Sequence, residues 1–249
     1  MRGPVILMYH AFGEPASRFV CPPSRLAAQL RWLARRRRPV LPLAELAEHR
    51  QAHTLPPAGS VVVTIDDGYT DTAAVAAPVL RQHGVPATVF VISGLVESAE
   101  ARPGGPPDLA RRPLMSAEQL RALPADKIEV GAHTRTHPLL PELSAEALDG
   151  EVAGSRADLA GLLGAPPAAF AYPHGRTSPD AVAAVERAGF TAACGIERGL
   201  NDPGTPLLEL RRTPVDGDDS LLRFVLAVWS GDPDLLRRPF QWLRARRAG

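Results

Sequence analysis

From Ser60 to Ile65 the chain reads S-V-V-V-T-I, a run of β-branched residues with no polar alternation. A strand with one wet face alternates apolar and polar residues, whereas a strand covered on both faces reads as a continuous apolar run. This segment therefore predicts a central strand of a parallel α/β sheet. It stops at Asp66-Asp67-Gly68, which sets two carboxylates at the strand's C-terminal end, the edge where parallel α/β folds build their sites. Successive residues leaving a strand point in different directions. One carboxylate can thus hold a metal while its neighbour faces water, and Gly68 permits the tight exit turn. Taken alone, the segment is equally compatible with an Asp-Gly turn whose acid caps the next helix.

The surrounding elements alternate in the same sense. Pro4 to Tyr9 reads as a short buried strand, and Ser24 to Arg38 as a helix with Ser24 as N-cap and Leu26, Leu30 and Leu33 on one face. Its terminal arginines, Arg35 to Arg38, complement the helix dipole and read as a solvated helix end rather than a nucleic-acid patch. Asp71 to His83 reads as a helix closed by Gly84, and Ala87 to Ile92 as a strand. Ser98 to Arg112, rich in Pro, Gly and Arg, is a long loop suited to a lid or a partner contact. Then come a short helix from Ser116 to Leu123, a strand from Lys127 to Val130, and a long helix from Ser144 to Leu163 with Ser144 as N-cap and Glu146 in its first turn. Ala168 to Tyr172, Pro179 to Ala188, Thr191 to Gly195, Leu208 to Val215 and Asp219 to Val228 continue the series, and an Arg-rich amphipathic helix is expected from Asp234 onward. Alternation of this kind argues for a parallel sheet or a (β/α) barrel. A length of 249 residues suits one such barrel. With no internal repeat and no linker, the expectation is a single catalytic domain over 1–249, with a core at about 5–217 and a helical tail at about 219–249.

The second chemical signal is His133-Thr134-Arg135-Thr136-His137, again just after a strand. Two histidines four apart fall on one face of a helical turn, a spacing that suits one transition-metal ion. Adding Asp67 gives two imidazoles and a carboxylate with coordination positions left open. That set serves catalysis with one divalent ion, zinc first, with cobalt, nickel or iron also compatible. Cys21 and Cys194 lie far apart, neither at metal-binding spacing from another cysteine; they read as structural thiols, with a disulfide as the alternative. A formal net charge of +1 points to no nucleic-acid partner. No window approaches the roughly 20 apolar residues of a membrane span. No signal peptide is recognisable at the N-terminus, so the sequence-based expectation is a cytoplasmic protein.

Three segments in order, Thr64-Ile65-Asp66-Asp67-Gly68, His133-Thr-Arg-Thr-His137 and Phe170-Ala-Tyr172-Pro173-His174-Gly175, resemble the motifs of the polysaccharide deacetylases, the NodB-homology carbohydrate esterases. The resemblance spans about residues 5 to 217. It implies a distorted (β/α) barrel, often of seven strands, with metal on Asp67, His133 and His137 and with Asp66 as general base. It also implies a substrate and oxyanion contact around Tyr172, Pro173 and His174, where a backbone N–H serves. The opening Val5-Ile-Leu-Met-Tyr9-His10 resembles the branch that contains the poly-N-acetylglucosamine deacetylases. By that resemblance His10 is the general acid, in keeping with the absence of any histidine after His174. Two departures stand out. The third motif lacks the arginine that orients the base in many members, for which Arg212 is the candidate substitute, and His174 stands where the family often has an aromatic residue.

The implied function is metal-dependent removal of N-acetyl groups from an amino sugar, a polysaccharide or a glycolipid intermediate, with release of acetate. The scarcity of aromatics favours a short or carrier-linked sugar. Two alternatives stay open at this level: hydrolysis of a non-sugar cyclic amide or ureide on the same metal site, and a non-catalytic carbohydrate-binding protein.

Overall fold

The computed structural model describes residues 3–97, 105–125 and 127–235. Among these residues ten strands run β1 (Val5–Tyr9), β2 (Ala11–Phe12), β3 (Val20–Cys21), β4 (Val40–Leu41), β5 (Val61–Ile65), β6 (Ala87–Val91), β7 (Ile128–Ala132), β8 (Ala169–Ala171), β9 (Ala192–Cys194) and β10 (Thr213–Pro214). The helices are α1 (Pro23–Arg35), α2 (Leu43–Gln51), α3 (Ala77–Gln82), α4 (Ala117–Arg121), α5 (Ala145–Leu163), α6 (Pro179–Arg187) and α7 (Leu221–Ser230). Seven strands form one curled parallel sheet in the order β10-β1-β5-β6-β7-β8-β9. β4 pairs with the first half of β5 and β6 with its last residues. The sheet's two edges are joined by one stretch of chain: Leu210 bridges to Cys194 of β9, and Thr213 and Pro214 pair with β1. The alternation of elements predicts the parallel sheet, and its curled seven-strand form is the distorted barrel that the family resemblance implies.

Period-2 alternation splits the apolar residues between two cores. Val5, Leu7, Tyr9, Val61, Val63, Ile65, Val89 and Val91 face the helices, while Ile6, Val62, Phe90, Ala169, Ala171, Ala192, Cys194 and Leu210 pack together inside the curl. Small residues on β8 and β9 leave lumen space. Gly131 leaves more, since a Cβ there would come within 2.6 Å of the Phe90 ring. The inward rows on β1, β5 and β7 continue past the strand ends to His10, Asp66 and His133.

Several boundaries differ from the sequence expectation. α1 starts at Pro23 rather than after a Ser24 cap, because a proline at the first helical position is already set in helical φ and needs no N–H partner. The helix expected over Asp71 to His83 opens as a π-turn over Thr72–Ala76 before α3. Pro78 accounts for this: it cannot donate the i→i−4 bond and its ring pushes against the preceding turn. Leu208 to Val215 resolves into a 3₁₀ turn at Leu207–Glu209 and the short β10. β4 and α2 occupy a stretch that carries no clear sequence signal. α7 buries Phe224, Ala227 and Val228 in the main core, so the described chain beyond 217 belongs to the same body. The Arg-rich helix expected from Asp234, and residues 98–104 of the long loop, lie largely outside the described residues.

Candidate active site

At the end of β5 the chain reverses abruptly: Asp67 has φ 71° and Gly68 φ 79°. Aspartate adopts the left-handed conformation more readily than most residues, although it costs on the order of 1–2 kcal/mol. The turn sends the two carboxylates to different partners. Asp66 continues the inward row and meets Arg212, whose guanidinium donates from Nη1 to Oδ1 at 2.6 Å and from Nη2 to Oδ2 at 2.9 Å. Arg212 also donates from Nε to the Gly195 carbonyl at 2.8 Å and is fully buried. Burial alone would push the Asp66 carboxyl up; the opposing fields of Arg212, His133 and His10 together hold it below the usual carboxylate range.

Asp67 points instead to the histidines. Its Oδ1 lies 3.6 Å from Nε2 of His133 and 3.7 Å from Nε2 of His137. All three residues are buried, and their donor atoms lie within 4.8 Å of one another. A tetrahedral ion with ligand bonds of about 2.0–2.2 Å holds its donors roughly 3.4 Å apart, so this spacing leaves room for a cation among them. The donor set also fits in chemistry. Nδ1 of His133 faces the Ala171 carbonyl at 2.7 Å, so Nδ1 carries the proton and Nε2 offers its lone pair towards Asp67. Burial pushes the His133 imidazole down against the pull of Asp66 and Asp67, which favours the neutral, ligating form.

The histidine segment is not the helical turn that the i, i+4 spacing suggests. Residues 133–137 form an irregular turn in which Thr134 and His137 are both left-handed, with φ of 65° and 63°. The Thr134 hydroxyl accepts from the His137 N–H at 2.9 Å and closes the turn. The two rings meet edge to face at 4.6 Å, which brings both Nε2 atoms to Asp67.

The remaining candidates sit around a cavity of about 420 Å³ whose lining includes His10, Asp66, Asp67, His133, His137 and Tyr172. His10 follows β1 directly, as the strand register requires, and its ring meets the edge of Phe19 at 5.2 Å. The Tyr172 ring is buried and its hydroxyl donates to the Leu208 carbonyl at 2.9 Å, so its polar end is committed to packing. Pro173 is buried at the start of a 3₁₀ turn, and His174, with φ 55°, stands exposed at the rim with its ring 4.6 Å from that of His137. Both oxygens of Asp66 engage Arg212, which places this arginine under the carboxylate. His49, by contrast, pairs with Thr54 away from the cavity. Cys21 and Cys194 are buried free thiols, each pushed up to about 12 by burial, and form no disulfide.

Sequence reasoning missed the rim. Arg18, Phe19 and Ile196 line the cavity, with the Arg18 guanidinium 5.3 Å from the Phe19 ring centroid. No spacing or composition signal marks them. Gly105 and Pro106 do come from the long loop that the sequence marks, and the end of that loop is anchored by Arg112 on Asp71 at 2.6 Å.

The comparisons with known proteins point to one family. The family model described as Polysaccharide deacetylase matches residues 54–193. YxkH of Bacillus subtilis (strain 168), which carries the polysaccharide deacetylase name, is 26% identical over 210 residues, covering 84% of this chain and 70% of that protein. Among solved structures, IcaB from Ammonifex degensii superposes with a TM-score of 0.79 at 25% identity, covering 92% of this chain and 96% of that one. The Streptococcus pyogenes deacetylase PplD, in complex with acetate, shares the fold with a TM-score of 0.76 at 24% identity, over 88% of this chain and 94% of that one. With a family model covering more than half of its length and spanning both the paired aspartates and the two histidines, the chain belongs to the polysaccharide deacetylase family.

Proposed function

We propose that the protein is a metal-dependent hydrolase that removes N-acetyl groups from an amino sugar or from a polysaccharide or glycolipid intermediate, and that its described residues form one catalytic domain. The observation that carries this reading is the division of labour between adjacent residues: Asp66 on a buried arginine, Asp67 beside two imidazole nitrogens, both opening on one cavity. A divalent cation on Asp67, His133 and His137 would supply Lewis-acid polarisation of the acetyl carbonyl and a lowered pKa for water at neutral pH; zinc suits the donor set, as do cobalt, nickel and iron.

This chain's residues supply the rest. Asp66, kept ionised, accepts the proton of the attacking water, and Arg212 holds its carboxylate in one orientation. Carbon–oxygen bond formation moves the carbonyl electrons onto oxygen, where a backbone N–H of the Pro173–Gly175 turn would stabilise the negative charge. His10, at the end of the neighbouring strand β1, donates a proton to the nitrogen as the carbon–nitrogen bond breaks. Acetate and a free amine leave, with one water consumed. Among the described residues no helix is long and apolar enough to cross a membrane.

The test is acetate release from N-acetylglucosamine oligomers by protein first stripped with a chelator and then resupplied with single divalent ions. Release that requires the ion and vanishes in Asp66→Asn supports the proposal. Release that survives chelation, or full turnover by Asp66→Asn, sinks the assigned mechanism.

A further inference from the structure

The turn that carries His133 and His137 is braced from outside the barrel. On the face of α5 nearest the turn, Glu151 offers Oε2 to two successive backbone donors, Arg135 N–H at 2.8 Å and Thr136 N–H at 2.9 Å, and Oε1 to the Thr136 hydroxyl at 2.7 Å. Seven residues further along the helix, Asp158 accepts from Arg135 Nε at 2.9 Å and from the Ser93 hydroxyl at 2.8 Å. Between them Gly154 makes room for the arginine stem: a Cβ there would lie 2.7 Å from Cδ of Arg135. Positions 151, 154 and 158 share one helix face. The two N–H groups taken by Glu151 belong to the residues between the left-handed Thr134 and His137. Backbone donors in an irregular turn have no ladder to satisfy them, so the group that does so fixes the turn's shape.

We propose that Glu151 is a positioning residue for the metal centre: by clamping the Arg135–Thr136 peptides it sets the angle at which His133 and His137 present Nε2 beside Asp67. The inference rests on the metal-site reading given above. Glu151 acts only through the turn and touches neither ion nor substrate. Groups that orient ligands from behind typically change metal affinity by about 10- to 100-fold when removed. A merely structural Glu151 would change thermal stability and leave the coordination of the ion unaltered.

The experiment uses the full chain as wild type, Glu151→Ala and Glu151→Gln, each stripped of metal, checked for fold by far-UV circular dichroism, and titrated with cobalt(II) alone. Binding affinity and the visible absorption of bound cobalt, which reports coordination geometry, are both read. Alanine is a good helix former at this half-buried site, so the fold is expected to persist. Glutamine keeps an oxygen for the two N–H groups and places an amide that donates to the Thr136 hydroxyl. The expected result is cobalt affinity reduced about 10- to 100-fold with an altered spectrum in Glu151→Ala, and near wild-type behaviour in Glu151→Gln. Wild-type affinity and spectrum in Glu151→Ala, even with a lowered Tm, overturns the inference while leaving the metal site standing, as does a loss in Glu151→Gln as deep as in Glu151→Ala. Failure of the wild type itself to bind cobalt overturns the metal-site reading and this inference with it.

Discussion

The ends of β5 and β7 deliver the site's central residues in opposite ways. At β5 a run of buried β-branched residues carries Asp66 into the lumen, where the anchoring group, Arg212, reaches it from inside the barrel. At β7 the strand hands over to an irregular turn with two left-handed residues, and the anchoring groups, Glu151 and Asp158, come from a helix outside the barrel. A fork of charge-assisted bonds in a water-excluded lumen is stiff, and removing either member leaves an uncompensated buried charge. The outer brace is half-buried and wetter, so its loss costs less in folding and more in geometry. The proposed general base is held by electrostatics, whereas the proposed metal ligands are held by backbone shape.

This contrast can be broken in order of effect size. His133→Ala is expected to abolish acetate release and also the rise in Tm that a saturating divalent ion gives the wild type, a gain of about 2.7 kcal/mol at 100 times Kd; a retained ion-dependent rise would place the metal elsewhere. Asp66→Asn should retain that rise while turnover falls by roughly 10²–10⁴, the usual span for a general base. Equal loss of ion binding in both variants would erase the separation between the two aspartates.

Arg212→Met leaves Asp66 buried and unpaired and is expected to cost on the order of 3–5 kcal/mol of stability by denaturant unfolding. The pair also has a pH signature. Because the folded Asp66 carboxyl lies below its ordinary value of 3.8, its contribution is fully present above that value and is lost as the pH falls through the folded pKa. Acid unfolding should therefore be shallower over that range in Arg212→Met; an unchanged acid limb would show that the fork is not what lowers Asp66.

The smallest effect concerns Asp219, on the segment before α7, which burial pushes up to about 6 despite Arg223 beside it. A raised carboxyl binds its proton more tightly when folded, so this group's contribution to stability declines as pH rises from about 4 to 6. Asp219→Asn should flatten that decline without changing acetate release. A change in release would tie this segment to the cavity.

The sequence was most legible where one physical rule operated alone. An uninterrupted apolar run predicts a strand covered on both faces, and period-2 alternation carries Met8 to His10 and Thr64 to Asp66, so both reach the correct edge. The i, i+4 spacing of His133 and His137 predicts two adjacent rings, which the structure has, and a helical turn, which it lacks, because residue spacing does not distinguish a helix from a turn closed by left-handed residues. Arg212 stood out only through a family resemblance; its pairing with Asp66 crosses the seam where β10 returns to β1, a contact no local pattern encodes. Glu151 reads in the sequence as an ordinary polar residue of a long helix. Phe19 and Arg18, in the loop between β2 and β3, are equally silent.

By itself the sequence determined the α/β class, the order of most strands and helices, the edge at which the site forms and the residue types able to hold a metal, since propensity, periodicity and ligand chemistry are local properties. Only the tertiary structure decided which of the two adjacent aspartates faces the arginine and which the histidines, and which helix braces the turn that carries His133 and His137. Those choices depend on left-handed turns and on contacts between separate elements, as distant in sequence as Asp66 and Arg212, whose energies exist only once the sheet has curled and excluded water from its lumen.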